Sequence, residues 1–317
     1  MIDKIYFSSD RPTMFMMQGL PGSGKSTLAQ EIVDGAPREI HIHSSDAIRK
    51  EMSGDESVQD KPQAVFTELH RRIKNDLRNG IDVVYDATNI NGKFRRAFLA
   101  ELKNIPCTKT NVCVVAPYDV CLENNSKRER KVPEYVIRKK YMTWQPPDYG
   151  EGFDEILLYS YRVERPKWTI AYYLRTVQDF DQKNSHHTMT LGEHGYRAEK
   201  YIEEHFCDNH TLLMAALLHD CGKPFTQTSK NYRGEEDGDF HYYQHNCVGA
   251  YDSLMYLMRN HMPVEAIIYI SNLIYYHMHP YTSWKQSEKA KERDRKLLGD
   301  EMFNDVLRLH EADVAAH

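Results

Sequence analysis

The chain has no apolar run long enough to span a bilayer. Its opening residues, Met1-Ile2-Asp3-Lys4-Ile5, show neither the apolar block nor the cleavage region of a secretion signal. These absences lead us to expect a cytoplasmic protein with no membrane partner. Paired cysteines are missing as well. Cys107, Cys113, Cys121, Cys207, Cys221 and Cys247 are scattered without any C-x-x-C spacing, which excludes thiolate zinc sites and dithiol redox motifs and leaves reduced thiols as the expectation. No large basic stripe is present, so binding to long duplex nucleic acid is expected to be modest and salt-sensitive.

What is there fits two ordinary domains: 317 residues, 41% hydrophobic and 27% charged. The net charge of −5 hides an asymmetry. Residues 1–165 carry 25 Lys+Arg against 24 Asp+Glu, and residues 166–317 carry 16 against 22. Only 3 of the 16 histidines fall in the first part. The two parts are therefore expected to be chemically different domains, divided at about residue 165.

The first part is built around Gly19-Leu20-Pro21-Gly22-Ser23-Gly24-Lys25-Ser26-Thr27, which follows the apolar run Met14–Met17 and opens a helix-prone segment. A strand, a glycine-rich loop and a helix form the context in which such a loop cradles phosphate. Gly22, Ser23 and Gly24 let successive N–H groups turn inward, and the helix adds its positive end. Lys25 is expected to bridge the outer phosphates of ATP or another NTP, Ser26 to ligate Mg²⁺, and Thr27 to complete the motif.

Strand-like Glu39–His43 runs into Asp46, at the carboxyl end of a second strand, where open α/β sheets place ligands. A carboxylate there suits proton acceptance from an attacking hydroxyl, and it equally suits a helix N-cap. A helix from Pro62 to Arg78 precedes the strand Asp82–Asp86, and Asp86 stands where Mg²⁺ and phosphate would be organised, or simply turns the chain. Helix Lys93–Lys103 and strand Asn111–Ala116 continue the alternation, which predicts a parallel sheet with helices on both faces. Between Lys127 and Lys140 seven basic residues face two acidic ones, and Arg128 and Arg130 are read as a cationic lid over the nucleotide.

Taken together, Gly-x-Pro-Gly-Ser-Gly-Lys-Ser-Thr, Ser-x-Asp-x-x-Arg, Asp-x-Thr-Asn and Asn-Ser-Lys-Arg with the following Val-Pro resemble the kinase module of phage-type 5′-hydroxyl polynucleotide kinases. The resemblance spans residues 14 to about 161 and includes a closing strand at 151–156. It implies that Asp46 is the general base for a 5′-hydroxyl, that Arg49 contacts the phosphate beside the accepting nucleotide, and that Arg128 contacts the donor phosphates. Asn124 departs from the pattern, which has a basic residue there, and Arg130 is the candidate substitute.

Residues 162–185 read as a linker. Beyond them the periodicity is helical with no convincing strand, so the second domain is expected to be all-α. Leu212–Leu218 is apolar all round, so the His219-Asp220 pair that ends it should be buried, where such groups need a cation or hydrogen bonds. The ordered set His194, His219-Asp220, His245, His277 and Asp313, with Cys221-Gly222-Lys223-Pro224, resembles the HD phosphohydrolase superfamily. That resemblance implies His194, His219, Asp220 and Asp313 as ligands of one divalent ion, with His245 and His277 available for a second. Mn²⁺, Fe²⁺, Co²⁺, Ni²⁺ and Zn²⁺ all suit the donor set. Lys223 pairs with a substrate phosphate or stands in solvent.

The joint expectation is a bifunctional enzyme that phosphorylates 5′-hydroxyl ends and clears 3′-phosphate or 2′,3′-cyclic phosphate ends, of RNA more than DNA, ahead of a separate ligase. A small-molecule kinase fused to a nucleotide phosphohydrolase, or to a regulatory HD domain, is the alternative.

Overall fold

The computed structural model describes residues 5, 7–8, 10–54, 62–160, 166–183, 189–206 and 209–317. Cys207 and parts of the expected linker, 162–165 and 184–185, lie outside them. The other five cysteines are buried free thiols.

The first unit is an α/β sheet with strands β1 (Thr13–Gln18), β2 (Ile40–Ser44), β3 (Asp82–Asp86), β4 (Thr108–Val115) and β5 (Glu155–Ser160), ordered β2-β3-β1-β4-β5. All four pairings are parallel, with Met14 opposite both Val83 and Lys109, and Ile42 opposite Val84. Every residue of β1 is buried, which a central strand achieves only when both sheet faces are covered. Phe15, Met17, Val84, Val112 and Val114 pack with Leu28, Ala29 and Ile32 of helix α1 (Lys25–Asp34). Helix α2 (Ser45–Ser53) follows β2 directly. Helix α3 (Pro62–Arg78) buries Val65, Leu69, Ile73 and Leu77, spaced by four, as one stripe. Helices α4 (Gly92–Glu101) and α5 (Tyr118–Ser126) complete the first unit, and α6 (Glu134–Met142) belongs to it only as far as Ile137.

The closing strand starts at Glu155, four residues later than the resemblance implies. Gly152, at φ 106, breaks the chain before it. Glu151 is instead held by Arg95 through contacts of 2.7 Å to Nε and 2.6 Å to Nη2, both side chains almost wholly buried. The backbone of Glu151 belongs to the short 3-10 turn Tyr149–Glu151 instead of to the strand.

The second unit comprises α7 (Ile170–Val177), α8 (Leu191–His205), α9 (His210–Leu218), α10 (Lys223–Thr226), α11 (His245–Met258), α12 (Val264–Tyr276), α13 (Ser283–Gln286) and α14 (Glu288–Ala315), the last kinked at Gly299. One correction applies. A two-stranded antiparallel hairpin, β6 (Thr228–Lys230) and β7 (Glu236–His241), interrupts the helices. Its strands are polar and lie on the surface, and Gly234 at φ 82 makes the turn, so no alternation of apolar residues betrays it.

The division into compact units is not contiguous: Met1–Ile137 group with Glu151–Tyr161, and Arg138–Gly150 with Arg162–His317. Within the second unit, Tyr141 Oη donates to Asp252 Oδ1 at 2.5 Å. The rings of Tyr141 and Trp144 meet Tyr251 edge-on at 5.2 and 5.3 Å. Burial pushes the Asp252 carboxyl up to about 7, against the lowering hydrogen bond from Tyr141.

Candidate functional sites

Because the strands are parallel, the loops after β1, β2 and β3 emerge at the same edge of the sheet, the edge at which such folds bind ligands. Gly24 takes a left-handed conformation (φ 94) as it caps α1, and Gly22 does the same at φ 84. A Cβ on Gly22 would lie 2.2 Å from the Cys121 carbonyl oxygen. Asn124 donates through Nδ2 to the Gly22 carbonyl at 2.9 Å. The residue that departs from the expected basic position therefore braces the phosphate loop. Lys25 is buried, whereas Ser26 and Thr27 are exposed.

Ser26 Oγ donates to Asp86 Oδ2 at 2.9 Å, which joins a hydroxyl and a carboxylate of the type Mg²⁺ prefers. Asp86 Oδ1 and Ser23 Oγ are buried with no hydrogen-bond partner among the described residues. Unsatisfied oxygens in a glycine cradle fit a phosphate with its Mg²⁺. Gly22→Ala is expected to weaken ATP binding by about 10- to 100-fold, since the strain of a left-handed alanine adds to the clash with Cys121. Calorimetric titration of the nucleotide into folded variant checks this.

Asp46 does not cap α2. Ser44 does, its Oγ accepting from the Asp46 N–H at 3.2 Å, and Asp46 stands in the first turn with its carboxylate directed elsewhere. The side chain is 45% exposed. It receives Arg49 Nη1 at 2.5 Å and Arg130 Nη1 at 3.4 Å. Arg49 is buried, so its charge is fixed beside the carboxylate. Arg130 thus joins the group, whereas Arg128 lies exposed in the turn after α5.

In the second unit, five helices and their ends converge on one centre. His219 and Asp220 follow α9, His277 follows α12, His245 opens α11, and His194 and Asp313 lie within α8 and α14. All six are buried. His194 Nε2 lies 3.1 Å from His219 Nε2 and 3.1 Å from Asp313 Oδ1. Asp220 Oδ2 lies 3.5 and 3.3 Å from the same two imidazoles. The other oxygen, Oδ1, lies 3.1 Å from His245 Nε2 and 3.8 Å from His277 Nε2, and those two nitrogens are 3.1 Å apart. Asp220 therefore faces both groups, one oxygen to each.

The opposite ring nitrogens fix the tautomers. Nδ1–H of His219 donates to Ala216 O at 2.7 Å, that of His245 to Tyr242 O at 2.7 Å, and that of His277 to Ile274 O at 2.6 Å. Their Nε2 lone pairs are then aimed inward, as metal-ligating imidazoles require. Bare lone pairs 3.1 Å apart repel, and a cation between them removes the repulsion. The donor set thus fits divalent metal at two positions: His194, His219 and Asp220 at one, with Asp313 Oδ1 at 3.1 and 3.4 Å from the same two imidazoles, and Asp220, His245 and His277 at the other. Burial, with His245 and His219 nearby, pushes His277 down to about 3, so its lone pair stays available. Burial alone would raise Asp220, yet the Lys223 ammonium beside it holds it well below the usual carboxylate range.

Lys223 is no solvated lysine. It is buried, donating to Asp220 Oδ2 at 2.6 Å and to Gln182 Oε1 at 2.7 Å. Three nearby residues escaped sequence reasoning. Gln182 holds Lys223, Tyr281 Oη donates to Asp313 Oδ2 at 3.1 Å, and the His317 ring stacks on His194 at 4.9 Å. No motif marks Gln182 or Tyr281, because each meets its partner across a long stretch of chain, whereas His317 lies one helical turn beyond Asp313, 3.8 Å from its Oδ1. His279, two residues beyond His277, packs instead against Tyr276 and Trp284.

Fold and sites are those of a P-loop kinase-like domain joined in one chain to an HD domain. Residues 14–147 match the AAA domain family and residues 185–314 the HD domain family. Such a kinase fold implies ATP and Mg²⁺, and HD domains bind divalent metals.

Protein kti12 of Schizosaccharomyces pombe is 25% identical over 155 residues, covering 45% of this chain and 55% of that protein. The L-seryl-tRNA(Sec) kinase of Methanococcus maripaludis is 26% identical over 154 residues, covering 44% and 56%. The chain thus spans little more than half the length of the curated relatives it matches. Among solved structures, the Pnkp1/Rnl/Hen1 RNA repair complex contains a chain 18% identical, with TM-score 0.39, covering 44% of this chain and 45% of that one. A putative kinase from Chloroflexus aurantiacus is also 18% identical, with TM-score 0.40, covering 48% and 86%. No helix among the described residues is long and apolar enough to cross a membrane.

Proposed function

We propose that this chain heals broken nucleic-acid ends, RNA in preference to DNA. The first domain transfers the γ-phosphate of ATP to a 5′-hydroxyl, and the second hydrolyses a 3′-phosphate or 2′,3′-cyclic phosphate. The observation that carries the reading is Asp46, relieved of capping by Ser44 and held by two arginines at the ligand-binding edge of the sheet. The relative named for an aminoacyl-tRNA supports an acceptor hydroxyl borne on RNA.

Asp46 accepts the proton as the 5′-oxygen attacks the γ-phosphorus, and the bond from phosphorus to the ADP oxygen breaks. Arg49 orients Asp46 and contacts the phosphate beside the accepting nucleotide. Lys25 bridges the outer phosphates of ATP, and Arg128 and Arg130 close over them to offset charge on the transferred group. In the second domain, His194, His219, Asp220, His245, His277 and Asp313 hold the divalent ions, while Lys223 neutralises Asp220 and stands ready for substrate phosphate. Bound there, such ions activate water at neutral pH and offset charge developing on the phosphoester. The resulting 5′-phosphate and 3′-hydroxyl are the pair a separate ligase needs.

The test is incubation with γ-labelled ATP and short RNA and DNA strands bearing defined ends, with Mn²⁺ added for the second activity. We expect label on 5′-hydroxyl RNA and loss of terminal 3′-phosphate. Label on a nucleoside or sugar but on no oligonucleotide would replace this reading with that of a small-molecule kinase.

A further inference from the structure

We propose that His41, His43 and Asp76 form a separate metal site, for a divalent ion of the zinc class, that ties the edge strand β2 to helix α3. In a strand, residues two apart share a face, so both imidazoles project from the same side of β2. Helix α3 supplies the third donor from its inward stripe. Asp76 lies three residues beyond Ile73 and next to Leu77, and it is buried like them. A carboxylate on the apolar face of an amphipathic helix is a costly choice unless something charged satisfies it.

A single oxygen of Asp76, Oδ2, lies 2.8 Å from His41 Nδ1 and 2.7 Å from His43 Nε2. The three donor atoms all lie within 4.8 Å of one another. A tetrahedral zinc ion at about 2.0–2.1 Å from each donor needs them roughly 3.3 Å apart, so each imidazole nitrogen would draw back from Asp76 Oδ2 by about half an ångström.

The surroundings of His41 can also accommodate an ion. Its other nitrogen, Nε2, faces Glu39 Oε1 at 3.2 Å. With an ion bound in place of the Nδ1–Asp76 hydrogen bond, a proton on Nε2 would satisfy Glu39 and leave the Nδ1 lone pair for the metal, the carboxylate-histidine-metal arrangement that orients zinc ligands. Two carboxylates flanking two imidazoles balance a divalent charge. The His41 side chain is 43% exposed, whereas those of His43 and Asp76 are mostly buried, so water can take the fourth position. Two imidazoles and a carboxylate without thiolate suit Zn²⁺ or Co²⁺ over Ca²⁺ or Mg²⁺. This cluster shares no residue with the HD centre or the phosphate loop, and it stands whether or not the proposed activities do.

The test counts metal per chain after dialysis of the full-length protein against low-micromolar Zn²⁺. Wild type is expected to hold one equivalent more than the doubly substituted His41→Ala/His43→Ala protein. Should the double variant fail to fold, His41→Ala alone serves, because its side chain is the most exposed of the three. Removing one ligand of three weakens this equivalent by at least about tenfold. Co²⁺ titration adds a spectroscopic readout: a tetrahedral visible band present in wild type and reduced by His41→Ala by one site's worth. Equal metal content and identical Co²⁺ spectra in wild type and folded His41→Ala would overturn the proposal and leave the cluster a hydrogen-bonded network.

Discussion

Asp220→Asn is expected to abolish phosphoester hydrolysis, by more than about 100-fold, while leaving phosphate transfer from ATP intact. The size of the effect follows from position. One oxygen of Asp220 faces His194 and His219, and the other faces His245 and His277, so a single substitution weakens both metal positions. Asparagine keeps the volume but removes the charge that draws cations together. Lys223 retains Gln182 as a partner, so the variant is expected to fold. Measuring 3′-phosphate release alongside bound metal separates loss of ions from loss of structure. Full hydrolysis with an unchanged metal content would refute the assignment of this centre.

The reciprocal substitution, Asp46→Ala, is expected to reduce phosphate transfer to a 5′-hydroxyl by about 10²- to 10⁴-fold, the range for loss of a general base. Hydrolysis at the HD centre should be unaffected. Because Ser44 caps α2, removing Asp46 does not undo the helix start. It does leave buried Arg49 without that carboxylate, so Asp46→Asn is the companion variant that preserves packing. Unchanged affinity for ATP together with the fallen rate is the signature sought. A loss confined to ATP affinity would move Asp46 from proton acceptor to structural support.

Much of the architecture was legible because local chemistry and tertiary role agree. Met14–Met17 is apolar throughout and became the buried central strand, and helix α3 begins at Pro62 and ends at Arg78, as its spacing of apolar residues implies. The six residues of the HD centre were legible only through the resemblance, since spacing alone cannot bring positions 194 and 313 together. What stayed hidden depends on contacts that leave no periodic trace. The hairpin of β6 and β7 is polar on the surface, so it carries no alternation. Asp46 was ambiguous because Ser44 and Asp46 are both good caps, and only the backbone geometry assigns the cap to the serine. Gln182 and Tyr281 are ordinary residues until the fold sets them against Lys223 and Asp313.

The path of residues 138–150 limits how this protein can be taken apart. A fragment starting at residue 162 would leave behind Tyr141 and Trp144, stripping two aromatic rings from Tyr251 and abandoning the Asp252 carboxyl in an apolar interior. The rear catalytic half is therefore no detachable cassette, and shuffling it between proteins would require carrying along a piece of the sequence that precedes the closing strand of the front half.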